Sequence, residues 1–439
     1  MSARGEGGAS TPGSEALCPF GAPARSLFYI SDYTNLNHGS FGQCPKEVMA
    51  AQHAYAKLAE QHNDRWFRDT YYKLIERSRA RVASLIKGRL EDVVLIENAS
   101  SAVNSVLRSL SLRPGDKVLI LSQAYNMVKE VLRWIRECNL QVEVVTVNLQ
   151  YPISTPDHIT DQVRKALRAF GPQIKLCIFS HVSSMPSMVE PIEELARLSK
   201  ELTDGYARVL VDAAHCPGQV DIDVGSIGAD FYLGNMHKWM FAPKGAAFLW
   251  AAAAQQAALQ PTVISSTGHR DFVGRYSYTG TRDYTAFCSI DDAFVFIERR
   301  FGSIRACRDH NHSLAVTGCK MLSSAWGTQL LCAEGMVAGM CNVELPRAPG
   351  DRVAAMQRAL DERHGIYVVY GRVERTISSD FSVSGANEGE AFNPAFPGDS
   401  AGEDAGEGSF IYFLRLSAAV YIGPEAFLKL RDLVPALLV

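Results

Sequence analysis

Between residues 93 and 250, short β-branched or apolar runs alternate with helix-like stretches: VVLI at 93, KVLIL at 117, VEVVTV at 142, KLCIF at 175, RVLV at 208, FYL at 231 and AAFLW at 246. Runs that are apolar at successive positions, rather than at every second one, mark strands buried on both faces, as in a parallel sheet covered by helices. The intervening stretches carry the helical period. Val103, Val106, Leu107 and Leu110 follow the i, i+3, i+4, i+7 pattern after ENAS, and PGD at 114 to 116 turns the chain into the next run. The pattern predicts an α/β fold, with a large domain over residues 27–288 built on a mostly parallel seven-stranded sheet. From Ser289 the texture changes to one long helix-like stretch, IDDAFVFIERRFGSIRACRDHNHSLAVTGCKML. Strand-like runs follow around VELP at 343, IYVVY at 366 and FIYFLRLS at 410, which predicts a smaller α+β domain over 289–439.

Two segments break the pattern. Residues 1–26 are rich in Gly, Ala, Ser and Pro and read as a disordered tail. Thr376 to Ser409 holds seven acidic residues and no Lys or Arg, and reads as an acidic, flexible, solvated insertion.

Composition narrows the class. The chain has 439 residues, 47% of them hydrophobic, and a formal net charge of −3, which gives no basic field for nucleic acid. No apolar run approaches the ~20 residues needed to cross a bilayer. The expected partner is a small molecule, with neither nucleic acid nor membrane. Ten cysteines are scattered without CxxC pairs or metal-ligand spacing, so no metal site is expected and a reducing, cytoplasmic setting is. Arg4 and Arg25 leave organelle targeting open, while Glu6 and Glu15 count against it.

The chemistry concentrates in FYLGNMHKWMFAPKGAAFLW at 231–250, where Lys238 sits in an apolar, aromatic run. Burial lowers a lysine pKa and makes the amine nucleophilic, which suits a Schiff base with a carbonyl. In an open α/β sheet, ligands bind beyond the carboxyl ends of the strands. Four such places carry reactive residues. Ser100 and Ser101 open the helix after VVLI, either as ordinary caps or as a phosphate site. Tyr125 in SQAYN could stack on a ring or sit in the core. Asp212 ends RVLVD with His215 three residues on, either capping a turn or holding a pyridine nitrogen protonated. Lys238 follows FYL, with His237 beside it as a further phosphate donor. Neither GxGxxG nor GxxxxGK[ST] occurs, which counts against nicotinamide and NTP chemistry.

The segments NHGSFGQCP, ENASSAVN, SHVSSMPSMVEPIEEL, VDAAHCPGQVDIDV, GADFY, NMHKWMFAPKG, YTGTRDYTA and LRLSAAVY occur in this order between residues 36 and 421. By them the chain resembles the class V aminotransferase family of fold-type I pyridoxal-phosphate enzymes. Within it, the chain is most similar to the isopenicillin N epimerase-like branch, which includes L-cysteine desulfhydrases and hercynylcysteine sulfoxide lyases. The resemblance implies pyridoxal 5'-phosphate as cofactor and Lys238 as its covalent anchor. Asp212 would face the pyridine nitrogen, His215 the phenolic oxygen and Tyr125 the ring, with Ser183 lining the cofactor. Ser100, Ser101, Asn235 and His237 would contact the phosphate, and Thr281 would reach it from a second subunit, which implies a homodimer. Arg415 would bind the substrate carboxylate, a task suited to its planar fork; the alternative is an ordinary exposed strand arginine. Asn37 and His38 would stand near the substrate mouth. Threonine is frequent in the family where Ser100 stands, and serine or threonine where Asn235 stands.

The resemblance further implies an enzyme acting on an amino acid. The first expectation is a C–S lyase cleaving the β-carbon to sulfur bond of L-cysteine or a cysteine (sulfoxide) conjugate, giving pyruvate, ammonia and a sulfur product. An amino-acid epimerase or an aminotransferase is the alternative, and a non-catalytic scaffold the remote one. A desulfurase would need a thiolate in an exposed loop. Cys288, Cys332 and Cys341 lie instead in apolar settings.

Overall fold

All seven apolar runs of the first half are strands, and they lie in one sheet of the computed structural model, which describes residues 16–138, 142–384 and 409–439. Across the sheet the order is 381–384, 143–147, 117–121, 174–180, 208–212, 231–235, 247–251 and 93–96. The five strands from 143–147 to 231–235 run parallel, and Ala247–Ala251 is antiparallel to both its neighbours. The central strands are apolar throughout because helices cover both faces: Lys117–Leu121 and Phe231–Asn235 are buried at every position.

The eighth strand was not expected. Phe381–Ser384 pairs antiparallel with Val144–Val147 at the sheet edge, although it lies inside the segment read as a solvated insertion. Its alternation of Phe and Val with serine is the period of a strand with one buried face, and Phe381 packs edge-on against Phe170. The rest of that segment, 385–408, and residues 1–15 lie outside the described residues, whereas residues 16–26, read as part of a disordered tail, are ordered: the Cys18 and Gly21 N–H groups donate to the Arg300 and Val420 carbonyls, each at 2.8 Å, and Ala22–Leu27 forms a short helix.

After Ser289 the long helical stretch is two helices, Ile290–Phe301 and Ile304–Trp326. Gly302 takes φ 81°, and the Ser303 side chain caps the second helix by accepting from the Ala306 N–H. The strands 369–374, 410–417 and 340–344 form a separate antiparallel sheet with Phe410–Ser417 in the centre. Eight of the ten cysteines are buried, and none is in a disulfide.

Candidate active site

Every strand of the parallel set ends on the same edge, and the residues just past those ends surround two adjoining cavities of about 170 and 200 Å³. Lys238, Ser40, Phe41, Tyr125 and Ser184 line both. The first cavity is otherwise walled by strand-end residues of the large sheet, among them Ser100, Asp212, His215, Asn235 and His237. The second faces the small sheet through Tyr367, Val369, Tyr370 and Arg415. A larger surface groove of about 1020 Å³ beside helix Ile192–Glu201 contains none of the candidate residues.

Lys238 stands where the first cavity meets the second. Its Nζ lies 3.0 Å from His215 Nε2. Burial, reinforced by the Arg415 charge, pushes its pKa down to about 7, so near neutral pH much of it is a free amine. The same burial holds His215 well below the usual histidine range. With Nε2 facing the amine, His215 Nδ1 is buried without a partner among the described residues. Asp212 accepts one N–H, that of Ala214 at 3.0 Å, and burial raises its pKa. A buried carboxylate with so little support calls for a cation or a second donor opposite it.

The helix Ala99–Ser109 begins at the mouth of the first cavity. Asn98 caps it by accepting from the Ser101 N–H, and Asn235 Oδ1 accepts from Ala99 N at 2.9 Å. The Ser100 N–H keeps no protein acceptor among the described residues, and its side chain lines the cavity. The side chains that cap this helix start are Asn98 and Asn235 rather than Ser100 or Ser101, and Ser100 lines the cavity at the helix start. His237 donates Nδ1–H to the Ala246 carbonyl at 2.8 Å, and burial lowers its pKa to about 4. Its Nε2 can donate only as the imidazolium, a form that an adjacent phosphate would favour.

Arg415 is not an exposed strand arginine. It is 2% exposed on the central strand of the small sheet. Nη2 donates to Asn37 Oδ1 at 2.6 Å and Ser40 Oγ at 2.7 Å, and Nη1 to the Ser184 carbonyl at 3.0 Å. Among the described residues it has no carboxylate partner, and burial alone pulls its pKa down to about 10. Even so it stays charged at neutral pH, a fixed cation at the wall of the second cavity.

Other expectations need correction. Ser183 does not line the cavity: it is fully buried, with Oγ donating to the Pro186 carbonyl at 2.7 Å and accepting from Met188 N. Its neighbour Ser184 lines the cavity instead. His38 does not stand at the substrate mouth. It is fully buried, with Nε2 against the Lys238 carbonyl at 3.1 Å and Nδ1 against Tyr421 Oη at 2.8 Å, and burial drives its pKa to about 3. It joins the N-terminal segment to the backbone of the lysine. Tyr125 is not a core residue; it is 44% exposed on the cavity wall. Ser101 lies in the same helix turn as Ser100, with its N–H spent on Asn98. Thr281 is exposed, bonded to Tyr278 Oη at 2.8 Å, away from this chain's cavities.

Sequence reasoning missed Ser40, Phe41, Ser184, Tyr367 and Tyr370. NHGSFG held a further clue in its glycines. Gly42 takes φ 67°, and a Cβ there would lie 2.0 Å from the His237 carbonyl, so this turn can press against Lys238 only as glycine.

A parallel sheet with a buried lysine, a strand-end carboxylate and an anion-ready helix start on one edge defines a pyridoxal-phosphate enzyme of fold type I. The family model "Aminotransferase class-V" matches residues 36–378, and the chain belongs to that family. It is 34% identical to the Arabidopsis thaliana protein named "Probable L-cysteine desulfhydrase, chloroplastic", over 92% of this chain and 83% of that one. It is 31% identical to the isopenicillin N epimerase of Streptomyces clavuligerus, over 76% and 85% respectively. A solved structure of the cystine C–S lyase C-DES with its product cysteine persulfide superposes with a TM-score of 0.68 at 17% identity, covering 91% of this chain and 97% of that one. It attests the fold. The cofactor is pyridoxal phosphate, and the residues present fit it: His215 lines the cavity beside the Lys238 amine, and the under-supported Asp212 and the Ser100 N–H are groups that a pyridinium and a phosphate would satisfy.

Proposed function

We propose that this enzyme is a lyase that breaks the Cβ–S bond of L-cysteine or an S-substituted cysteine, releasing pyruvate, ammonia and a sulfur product. The observation that carries the reading is Arg415: a buried guanidinium without a carboxylate partner among the described residues, sharing a cavity with Lys238. A buried charge of this kind is held for an anionic ligand, and its fork matches a carboxylate. An α-amino acid anchored there brings its Cα toward Lys238.

Pyridoxal phosphate, when bound, supplies an electron sink for the pair left on Cα. Asp212 is placed to hold the ring-nitrogen proton, and a pyridinium opposite it would restore the carboxylate charge that burial disfavours. Ser100, Asn235 and His237, which line the first cavity, would hold the phosphate, and Tyr125 would cover the ring and exclude water. Lys238, at the junction of the two cavities, takes the Cα proton at Nζ. The Cβ–S pair then leaves on sulfur, and the three-carbon remainder takes up one water to give pyruvate and ammonia.

Two features favour elimination over its alternatives. Among the described residues no cysteine lines either cavity, so sulfur is not drawn off by a protein thiolate. Apart from Lys238, the second cavity holds, among the described residues, no carboxyl, imidazole or thiol to deliver a proton from the opposite face, as an epimerase requires. The runner-up epimerase would have to use Tyr125, Tyr367 or Tyr370. Phe41, 72% exposed at the cavity mouth, and Thr281, turned outward, favour a homodimer in which Thr281 reaches the second subunit's phosphate. The setting proposed is cytoplasmic; among the described residues no helix is long and apolar enough to cross a membrane. A chloroplast location is the other outcome of imaging a tagged full-length chain.

The test is the visible spectrum of the purified protein on adding L-cysteine, S-methyl-L-cysteine and an S-alkyl sulfoxide conjugate, hercynylcysteine sulfoxide included, with pyruvate and the sulfur product measured together. Pyruvate and sulfur product in equal amounts support the lyase. Loss of the substrate's optical rotation without pyruvate replaces it with the epimerase.

A further inference from the structure

We propose that the second cavity is shaped for a cysteine whose sulfur carries an uncharged, apolar substituent, with Phe41, Met185, Tyr367 and Tyr370 as its walls. This rests on the lyase reading and narrows its substrate class. With the carboxylate held at Arg415 and Cα at Lys238, the atoms beyond sulfur meet what remains of the lining. With Asn37, Ser40 and Ser184 bonded to Arg415 and Tyr125 set against the ring, that remainder is Phe41, Ala124, Met185, Tyr367, Val369 and Tyr370, together with Gln123 and Asn126, and its polar atoms are neutral hydroxyls and amides.

Charge decides between classes of substituent. Among the described residues the second cavity has no Asp or Glu, and the two cations that line it are already committed, Arg415 to the α-carboxylate and Lys238 to the reaction. A distal ammonium would therefore face Arg415 without a counter-ion, and a distal carboxylate would find no cation left. Either would surrender hydration without compensation. An apolar group, by contrast, packs against the ring of Phe41, which lines the cavity. Methionine and aromatic edges suit sulfur and aryl contacts alike. Free cysteine ends at its sulfur and offers these rings little to bury.

The step balances without an oxidant or reductant. The Cα–H and Cβ–S bonds break, the proton goes to Lys238, and the Cβ–S pair leaves with sulfur as a thiolate. The thiolate takes up a proton, and water completes pyruvate and ammonia.

The test measures binding of analogues that cannot eliminate, by calorimetry on the holoenzyme: L-2-aminobutyrate, L-2-amino-5-phenylpentanoate (carbon in place of the sulfur of S-benzylcysteine) and L-2-aminoadipate. The phenyl compound is expected to bind about tenfold tighter or better than aminobutyrate, and the adipate no tighter. In Tyr370→Ala and Met185→Ala that advantage should shrink to about threefold or less while aminobutyrate binding stays, the latter showing that the fold and Arg415 are intact. A phenyl compound that binds no tighter than aminobutyrate, or an advantage that survives both variants, overturns the proposal. Pyruvate release from L-cysteine and S-benzyl-L-cysteine separates the two readings. Tight phenyl binding with no pyruvate from either keeps the pocket and sinks the lyase. Pyruvate from cysteine with no phenyl preference does the reverse.

Discussion

The two halves of the active-site cavity each bury a cation and treat it differently. Lys238, at the end of a strand of the large parallel sheet, answers burial by giving up its proton, its pKa falling to about 7. Arg415, on the central strand of the small antiparallel sheet, holds its proton with a pKa of about 10 and spreads its charge over the oxygens of Asn37, Ser40 and Ser184. Ammonium and guanidinium differ in intrinsic acidity, and the fold uses each accordingly. A lysine desolvated in this way becomes a nucleophile and base. An arginine desolvated to the same degree becomes an anion receptor.

Removing each cation tests this division. Lys238→Ala should abolish covalent cofactor attachment and lower turnover by about a thousandfold or more, read from absorbance and pyruvate release. A variant that kept most of its turnover would falsify the role given to the amine. Arg415→Gln should leave the cofactor band in place and raise KM for the amino acid by about a hundredfold, the cost of losing a buried, charge-assisted pair. If KM stays put, the carboxylate is held elsewhere. Asp212→Asn probes the support of the first half: kcat should fall by about ten- to a hundredfold with the substrate KM little changed, the reverse of the Arg415 signature.

The smallest effect concerns pH. In the unfolded chain Lys238 holds its proton to an ordinary value near 10.5, whereas in the cofactor-free fold it lets go near 7. The unfolded state thus binds more protons between these values, and stability rises with pH across that window. Below about pH 7 both states are protonated and the penalty of burying the charge is complete. Lys238→Met, which carries no charge, should melt higher than the cofactor-free parent at about pH 6, with the gap closing by about pH 10. A constant gap would mean that the lysine is solvated in the fold.

The large sheet was legible because strands buried on both faces write short apolar runs, and here those runs alternate regularly with helical stretches. Lys238 and Asp212 stood out for the complementary reason, as charges at the ends of such runs. Phe381–Ser384 did not, because an edge strand with one solvated face alternates with serine and sits in an acidic context. The break at Gly302 was visible as a glycine but not as a stop, since its positive φ is set by how the two helices pack.

By itself the sequence determined the α/β core and the family, and it put Lys238 and Asp212 forward as candidates, all of which rest on local composition and on spacing along one sheet edge. Only the tertiary structure decided which serine of SHVSS faces the cavity, where a one-residue step and the Ser183 to Pro186 hydrogen bond turn one hydroxyl inward and leave Ser184 at the wall. It also moved His38 from the substrate to the back of the lysine, and it set Arg415 within 2.6 Å of Asn37, 378 positions away. Contacts across such separations depend on how two sheets dock, and no periodicity along the chain encodes that.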